Sequence, residues 1–381
     1  MGRTRQQIDE SKLRSWKLLD DFRRRLAKAR AAIGAPRVKP AGGPERLLLE
    51  EDYFSLMLFG LLNPVIESMR GLCAASHLER VQREVSGRSV SLGSFSEAQS
   101  VFDPEVLRHV FEDLSGQIQQ SWGDERLKPL ADRLKLIDGT LLPALPRMHW
   151  ALWVNDKNRA AKLHLKFAVL RQAACEALIT TGNACERKAL RGMIRKGEII
   201  VGDRYYGLEY GYLGELRALG ASFVMRIRNQ PRMNVVQELE VSQADRAAGV
   251  SWQAKIELGD KWQGEPIRVV KIQVDGKTLL VATDLEIEAE LVALIYRYRW
   301  QIELFFKWMK SILGCRHLMA ESPRGVAIQI YSALIAALML QLFTGKRPSK
   351  REMELLRLYM LGYAQLDEVI ALLGLEKNPS E

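Results

Sequence analysis

The chain has 381 residues, enough for roughly two or three domains, and its 47% apolar and 27% charged content is that of an ordinary soluble globular protein. A formal charge of +10 and a pI near 9.4 favour a polyanionic partner or an anionic membrane surface. Cys73, Cys175, Cys185 and Cys315 lie far apart with no C-x-x-C pair, which argues against a disulfide framework or a cysteine zinc site and fits a reducing cytosol.

Most of the charge sits at the start. Residues 1–40 carry twelve Lys or Arg against Asp9, Glu10, Asp20 and Asp21, which is eight of the ten net charges, and they lack the continuous apolar run of an export signal. Trp16, Leu19, Phe22 and Leu26 recur at three to four residues beside Arg23, Arg24 and Arg25, which predicts a basic helix over 1–33. Such a helix can lie on DNA, on a membrane or in solvent as an arm. Phosphate contacts ask only for clustered Arg and Lys, whereas membrane binding asks for a broader apolar face. Prolines and glycines over 34–44 mark a linker, so residues 1–44 read as a basic arm and linker. Residues 45–123 read as a helical domain, with a Ser-rich turn in which Ser94 or Ser96 caps a helix starting near Glu97.

From Asp124 the pattern changes to alternating strand and helix, which predicts an α/β sheet. RLKLIDGTLL and IIVGDRYYG each hold a short apolar run that ends in an aspartate, Asp138 and Asp203. KLHLKFAVL and ASFVMRIRN are further strands, and TTGNACERKALRGMIRKG is a loop and a helix. Over 230–287 the period becomes two in WQAKIEL, PIRVVKIQV and KTLLVATDL, with turns at Gly259-Asp260 and Asp275-Gly276, so a β-rich insertion interrupts the α/β domain of 124–229 and 288–345. The apolar stretch 326–343 is long enough to cross a bilayer, but Gln329, Tyr331, Ser332 and Gln341 interrupt it and a helix buried in a large core accounts for it better. Residues 346–381 read as closing helices.

The helix predicted over 288–313 carries the densest chemistry. At about 100° per residue, Tyr296, Arg299, Glu303 and Lys310 fall within an arc of about 60°. Leu294, Ile295, Ile302, Phe305, Phe306, Met309, Ile312 and Leu313 form an apolar stripe beside them. A carboxylate between two cations on the rim of a core stays ionised and is a candidate metal ligand, although an ion-pair ladder on a solvated helix has the same spacing. Asp138 before a glycine could equally be a turn residue, and Asp203 could pair with Arg204. His164 and His149 read as packed or hydrogen-bonded residues rather than ligands. Carboxylates on two strand ends and a facing helix can together hold two divalent ions about 3.5–4 Å apart for phosphoryl transfer, and magnesium suits such oxygen donors.

Tyr296-x2-Arg299-x3-Glu303-x6-Lys310 resembles the Y-R-E-K signature of bacterial insertion-sequence transposases, a branch of the DDE group with an RNase H-like catalytic core. IDGT at 137–140 and VGDRYYG at 201–207 are similar to that family's two Asp motifs. The resemblance covers roughly residues 130–345. It implies that Asp138, Asp203 and Glu303 are a catalytic triad holding two Mg2+ ions, for which Mn2+ can substitute. Tyr296, Arg299 and Lys310 would contact DNA phosphates, and residues 230–287 would be the β-rich insertion, where Trp252 or Trp262 could stack on a flipped base. The implied chemistry is cleavage at transposon ends to expose a 3′-OH, then strand transfer of that hydroxyl into target DNA. The implied partners are double-stranded DNA, in the form of terminal inverted repeats and target, and a second copy of the chain in a synaptic homodimer. The setting would be the bacterial cytoplasm, at the nucleoid. By position and charge, residues 45–123 would bind the DNA ends and residues 346–381 would pair protomers. A catalytically silent DNA-binding relative, or a nuclease of this fold that cannot join strands, remains as an alternative.

Overall fold

The computed structural model describes residues 17–34, 48–63, 65–119, 123–153, 155, 158–259, 262, 264–315 and 318–373. The chain divides into two compact units, one of residues 119–141 and 151–307 and the other of residues 1–118, 142–150 and 308–381. The expected α/β character is present as a large sheet with helices.

The first unit is built on a nine-stranded sheet. Its strands are β1 (Leu134–Ala144), β2 (Arg159–Ala168), β3 (Ala173–Thr181), β4 (Ile199–Gly202), β5 (Ser222–Arg226), β6 (Met233–Glu238), β7 (Val250–Leu258), β8 (Ile267–Val274) and β9 (Lys277–Thr283). Their order across the sheet is β3-β2-β1-β4-β5-β9-β8-β7-β6. β4 is parallel to both β1 and β5, and all four of its residues are buried, as expected of a strand covered on both faces. β2 and β3 pair antiparallel, and so do β5 with β9 and the successive pairs from β6 to β9. The β-rich stretch 230–287 therefore continues the same sheet instead of forming a separate one. Its last hairpin turns at Asp275-Gly276, where φ is 49° and 72°, the left-handed pair that a tight two-residue turn requires.

Two strands escape a periodicity reading. β3 is AACEALITT, whose small alanines blur the alternation, and β6 is an edge strand exposed along its whole length. The helix read into TTGNACERKALRGMIRKG is only Glu186–Arg191. The single helix expected over 288–313 is two, Ala289–Tyr298 and Trp300–Ile312. They join at Arg299 through tighter i to i+3 bonds, from Arg299 N–H to the Tyr296 carbonyl at 3.1 Å and from Ile302 N–H to the Arg299 carbonyl at 3.3 Å. Arg299 keeps helical torsions, φ −52° and ψ −32°, so the two faces run on with little rotation.

The second unit is helical. Its central helix, Pro323–Thr344, is the stretch long and apolar enough to cross a membrane, and 83% of its apolar window is buried inside the protein. It packs on the helices Glu50–Leu62, Leu92–Val101 and Pro104–Gln117, with Tyr331 6.1 Å from Phe111 ring to ring. Ser322 caps its start by accepting the Gly325 N–H at 3.0 Å, Pro323 sits at its first turn, and Gly345 closes it at φ 73°. The helix Leu92–Val101 is capped by Ser91, three residues before the expected Ser94.

The basic helix near the N-terminus spans Lys17–Ala32 and is not a detached arm over that length. Leu19, Phe22 and Leu26 are buried against the helices Glu50–Leu62 and Pro104–Gln117. Arg23 donates to the Val85 carbonyl and Ser55, Arg25 and Lys28 pair with Asp113, and Arg30 pairs with Glu50. Trp16 and the 35–44 linker lie outside the described residues.

Candidate catalytic site

The register of β1 against β4 sets the site. The strands pair Leu134↔Ile199, Lys135↔Ile200 and Leu136↔Val201. Two steps beyond the last pair, Asp138 and Asp203 stand level, and equal spacing from that pair puts both on one face of the sheet. Contrary to the sequence expectation, Asp138 does not end its strand. β1 runs on to Ala144, while β4 stops at Gly202, and the aspartates flank the point where the pairing ends. Asp203 then caps the short helix Arg204–Gly207 by accepting the Tyr205 N–H at 2.9 Å, and Asp138 accepts the Gly139 N–H at 2.8 Å.

The electrostatics are those of two acids held too close for comfort. Burial, and then the charge of Asp203, push the Asp138 carboxyl up to about 7. Burial also raises Asp203, against the opposing pull of the Tyr205 N–H and of Arg299. Arg299 is the cation that both aspartates feel. Its guanidinium also bonds Glu303 at 2.6 Å and lies 5.9 Å from the centre of the Tyr296 ring. Its Nε is buried without a hydrogen-bond partner. Asp138, Asp203, Arg299, Glu303 and Tyr296 therefore belong to one neighbourhood of the sheet unit.

The other expected site residues sit differently. Tyr296 is 5% exposed, so its ring is part of the core and does not present a solvent face. Lys310 lies in the last turn of Trp300–Ile312, within the helical unit. Trp252 and Trp262 pack on the apolar cluster of the sheet unit, and their indole N–H groups bond Glu238 and the Glu265 carbonyl. His164 is fully buried, bonded through Nε2 to Thr180 at 2.8 Å, and burial pushes it down to about 4, so it is a neutral packed residue at pH 7. His149 is exposed.

One acid in this neighbourhood has no counterpart in the sequence reading. Glu186, first residue of Glu186–Arg191, accepts the Tyr206 hydroxyl at 2.9 Å and pairs with Lys162 at 3.3 Å. A β-carbon on Gly139 would stand 2.9 Å from its carboxylate. Gly139 lies inside β1, which removes the turn reading of Asp138-Gly139. The available signal was a glutamate in the first turn of an expected helix, too common to single out.

The donor set suits a hard divalent cation in part. Asp138 and Asp203 are neighbouring carboxylates raised by burial, a cost that a cation would relieve. The Glu303 carboxylate is held by Arg299. Among the described residues, no three His, Cys, Asp or Glu side chains are gathered tightly enough to hold a metal ion.

Comparison with known proteins gives a consistent picture. Residues 129–339 match the family described as the transposase DDE domain. The putative transposase y4zB of Sinorhizobium fredii is 28% identical over 284 residues, which are 72% of this chain and 77% of that protein. A probable transposase for the insertion sequence element IS5377 of Geobacillus stearothermophilus is 24% identical over 213 residues, 55% of this chain and 56% of that one. A putative transposase for the element IS4SA of Synechocystis is 39% identical over a shorter 83 residues, 20% of this chain and 25% of that one. Among solved structures, a piggyBac transposase synaptic complex with hairpin DNA covers 100% of this chain and 84% of its own, at 13% identity and a TM-score of 0.44, too loose a likeness to carry an argument.

Proposed function

Because the chain belongs to the transposase DDE-domain family, we propose that it is a transposase that cuts DNA at the ends of an insertion sequence and transfers the exposed 3′-OH into target DNA. The observation that carries this reading is the level pair of Asp138 and Asp203 at the end of the β1–β4 pairing, with Arg299 and Glu303 in the same neighbourhood. The sheet order β3-β2-β1-β4-β5, with β4 parallel to both its neighbours, supports an RNase H-like core.

Asp138, Asp203 and Glu303 would hold the divalent ions, Mg2+ or in its place Mn2+. Bound there, such ions would polarise the scissile phosphate and lower the pKa of the attacking water or hydroxyl. The chain's own part is positional and electrostatic. The β1–β4 register would hold Asp138 and Asp203 in fixed positions, which is the precision in-line displacement requires. Arg299, with Tyr296 packed beside it, would neutralise a phosphate oxygen, and Lys310 would contact a DNA phosphate. The Y-R-E-K reading of these four residues is part of the proposal. No nucleophilic side chain is required, since water and the DNA hydroxyl attack in turn.

In this reading residues 45–123 bind the terminal inverted repeats, residues 346–381 pair two protomers on two ends, and Trp252 or Trp262 serves a flipped base if the reaction passes through a hairpin. The protein would act in the bacterial cytoplasm, at the nucleoid. Asp138→Asn, Asp203→Asn and Glu303→Gln should each abolish cleavage of a DNA end while leaving its binding intact. Wild-type cleavage by any one of them would remove that residue from the triad. Cleavage without joining of 3′ ends to target would identify a nuclease, and binding without cleavage by the unaltered chain would identify a silent relative.

A further inference from the structure

We propose that Glu186 is a positioning residue that ties the backbone carrying Asp138 to the backbone carrying Asp203, an inference that rests on the acidic-pair reading above. The two aspartates come from separate strands, and each has a glycine neighbour facing the tie. Gly139 follows Asp138, and the Glu186 carboxylate lies where a β-carbon there would be, 2.9 Å from both its carbon and Oε2. Gly202 precedes Asp203, and a β-carbon there would stand 2.6 Å from Met225 Sδ and 3.0 Å from the Tyr206 ring. Tyr206 is fully buried and donates its hydroxyl to Glu186 Oε2 at 2.9 Å. The contacts thus run from Gly139 to Glu186, then to Tyr206, then to Gly202.

Lys162 on β2 anchors the other oxygen of the carboxylate at 3.3 Å and also donates to the Ala184 carbonyl at 3.1 Å. Both glutamate oxygens are therefore held by partners other than the aspartates, and no three-acid metal cluster forms among the described residues. This is the arrangement of a group that orients ligands without being one. It also gives each glycine a specific reason. Any side chain at 139 would displace the carboxylate, and any at 202 would displace Met225 and crowd the tyrosine ring.

The test is calorimetric titration of the full-length protein with Mn2+ alone, with melting temperatures recorded alongside. Asp138→Asn reports on the site itself and should abolish binding. Glu186→Ala and Tyr206→Phe should each weaken Mn2+ binding about 10-fold, with the double variant no weaker than either single because both cut the same tie. Glu186→Gln keeps an oxygen that accepts the tyrosine proton and should recover most of the loss. The melting temperature of Tyr206→Phe, the smallest change, should stay near that of the wild type, separating positioning from general destabilisation. Wild-type affinity in Tyr206→Phe, or a Glu186→Gln as weak as the alanine, would overturn the tie while leaving the aspartate pair standing. Full Mn2+ binding by Asp138→Asn would overturn the pair, and the tie with it.

Discussion

Replacing Asp138 with asparagine should make the metal-free protein more stable at pH 8 and leave it unchanged at pH 4, so that loss of function and gain of stability come from one substitution. Burial and the charge of Asp203 push the Asp138 carboxyl from 3.8 up to about 7 in the folded protein. A raised carboxyl contributes stability that is fully present below about 4, where both states are protonated, and that is lost as pH rises through about 7. Above that pH, the whole difference corresponds to about 4 kcal/mol of unfavourable charge. Asp138 is half-buried, and solvent screening lowers the expected cost to roughly 1–3 kcal/mol. Asparagine removes it. At about 2–4 °C per kcal/mol for a domain of this size, Asp138→Asn should melt several degrees above wild type at pH 8 in the presence of a chelator. The advantage should shrink steadily as the pH is lowered towards 4. Adding Mg2+ at pH 8 should raise the wild type and leave the variant where it was. A variant no more stable than wild type at pH 8 would refute the claim that this acid is held against its charge.

Three further outcomes follow from the geometry. Gly207→Ala should cost more than about 3 kcal/mol, because a β-carbon there would run into the Arg226 backbone carbonyl, which no rotamer change can relieve; a chemical denaturation midpoint near wild type would show the contact to be looser. Ser322→Ala should cost about 1 kcal/mol by removing the cap of Pro323–Thr344, read as a small drop in melting temperature. Deletion after Gly345 should leave binding to a single DNA end and abolish pairing of two ends, read by gel shift; paired complexes formed without residues 346–381 would remove the pairing role from those helices.

Parts of this site were legible because local pattern and tertiary role coincide. LKLID and IIVGD are buried strands leading to acids, and burial on both faces writes itself as a run of apolar residues. The stripe Ile295, Ile302, Phe305, Met309 is buried as its spacing requires, because the helical torsions of Arg299 preserve the phase across the join. What escaped depends on residues distant in the chain. Glu186 acquires its partners from β2 and from the helix after β4, and nothing in CERKAL distinguishes it from any glutamate in a first turn. Tyr296 shares an arc with Arg299 in projection, yet it is buried, since an angular arc does not say how far the neighbouring elements rise around it. Small residues blur the alternation of β3, and an exposed edge leaves β6 without an apolar face that would single it out within the β-rich stretch.

The charges of the site show why the aspartates, and not the glutamates, are the acids left wanting. Glu303 has Arg299 at 2.6 Å, and Glu186 has Lys162 at 3.3 Å together with the Tyr206 hydroxyl. Asp138 and Asp203 have backbone N–H groups and a distant share in Arg299, a guanidinium already engaged by Glu303. Arg299 and Lys162 are thus engaged by the glutamates, and the shortage of positive charge falls on the aspartates. Without another cation the pair can relieve it by holding a proton, which is what the rise of Asp138 to about 7 describes. A divalent ion would relieve it without the proton, and would do so best where two oxygen donors already converge. In the proposed reading, the same shortfall that costs the metal-free fold stability would favour a cation at the strand end.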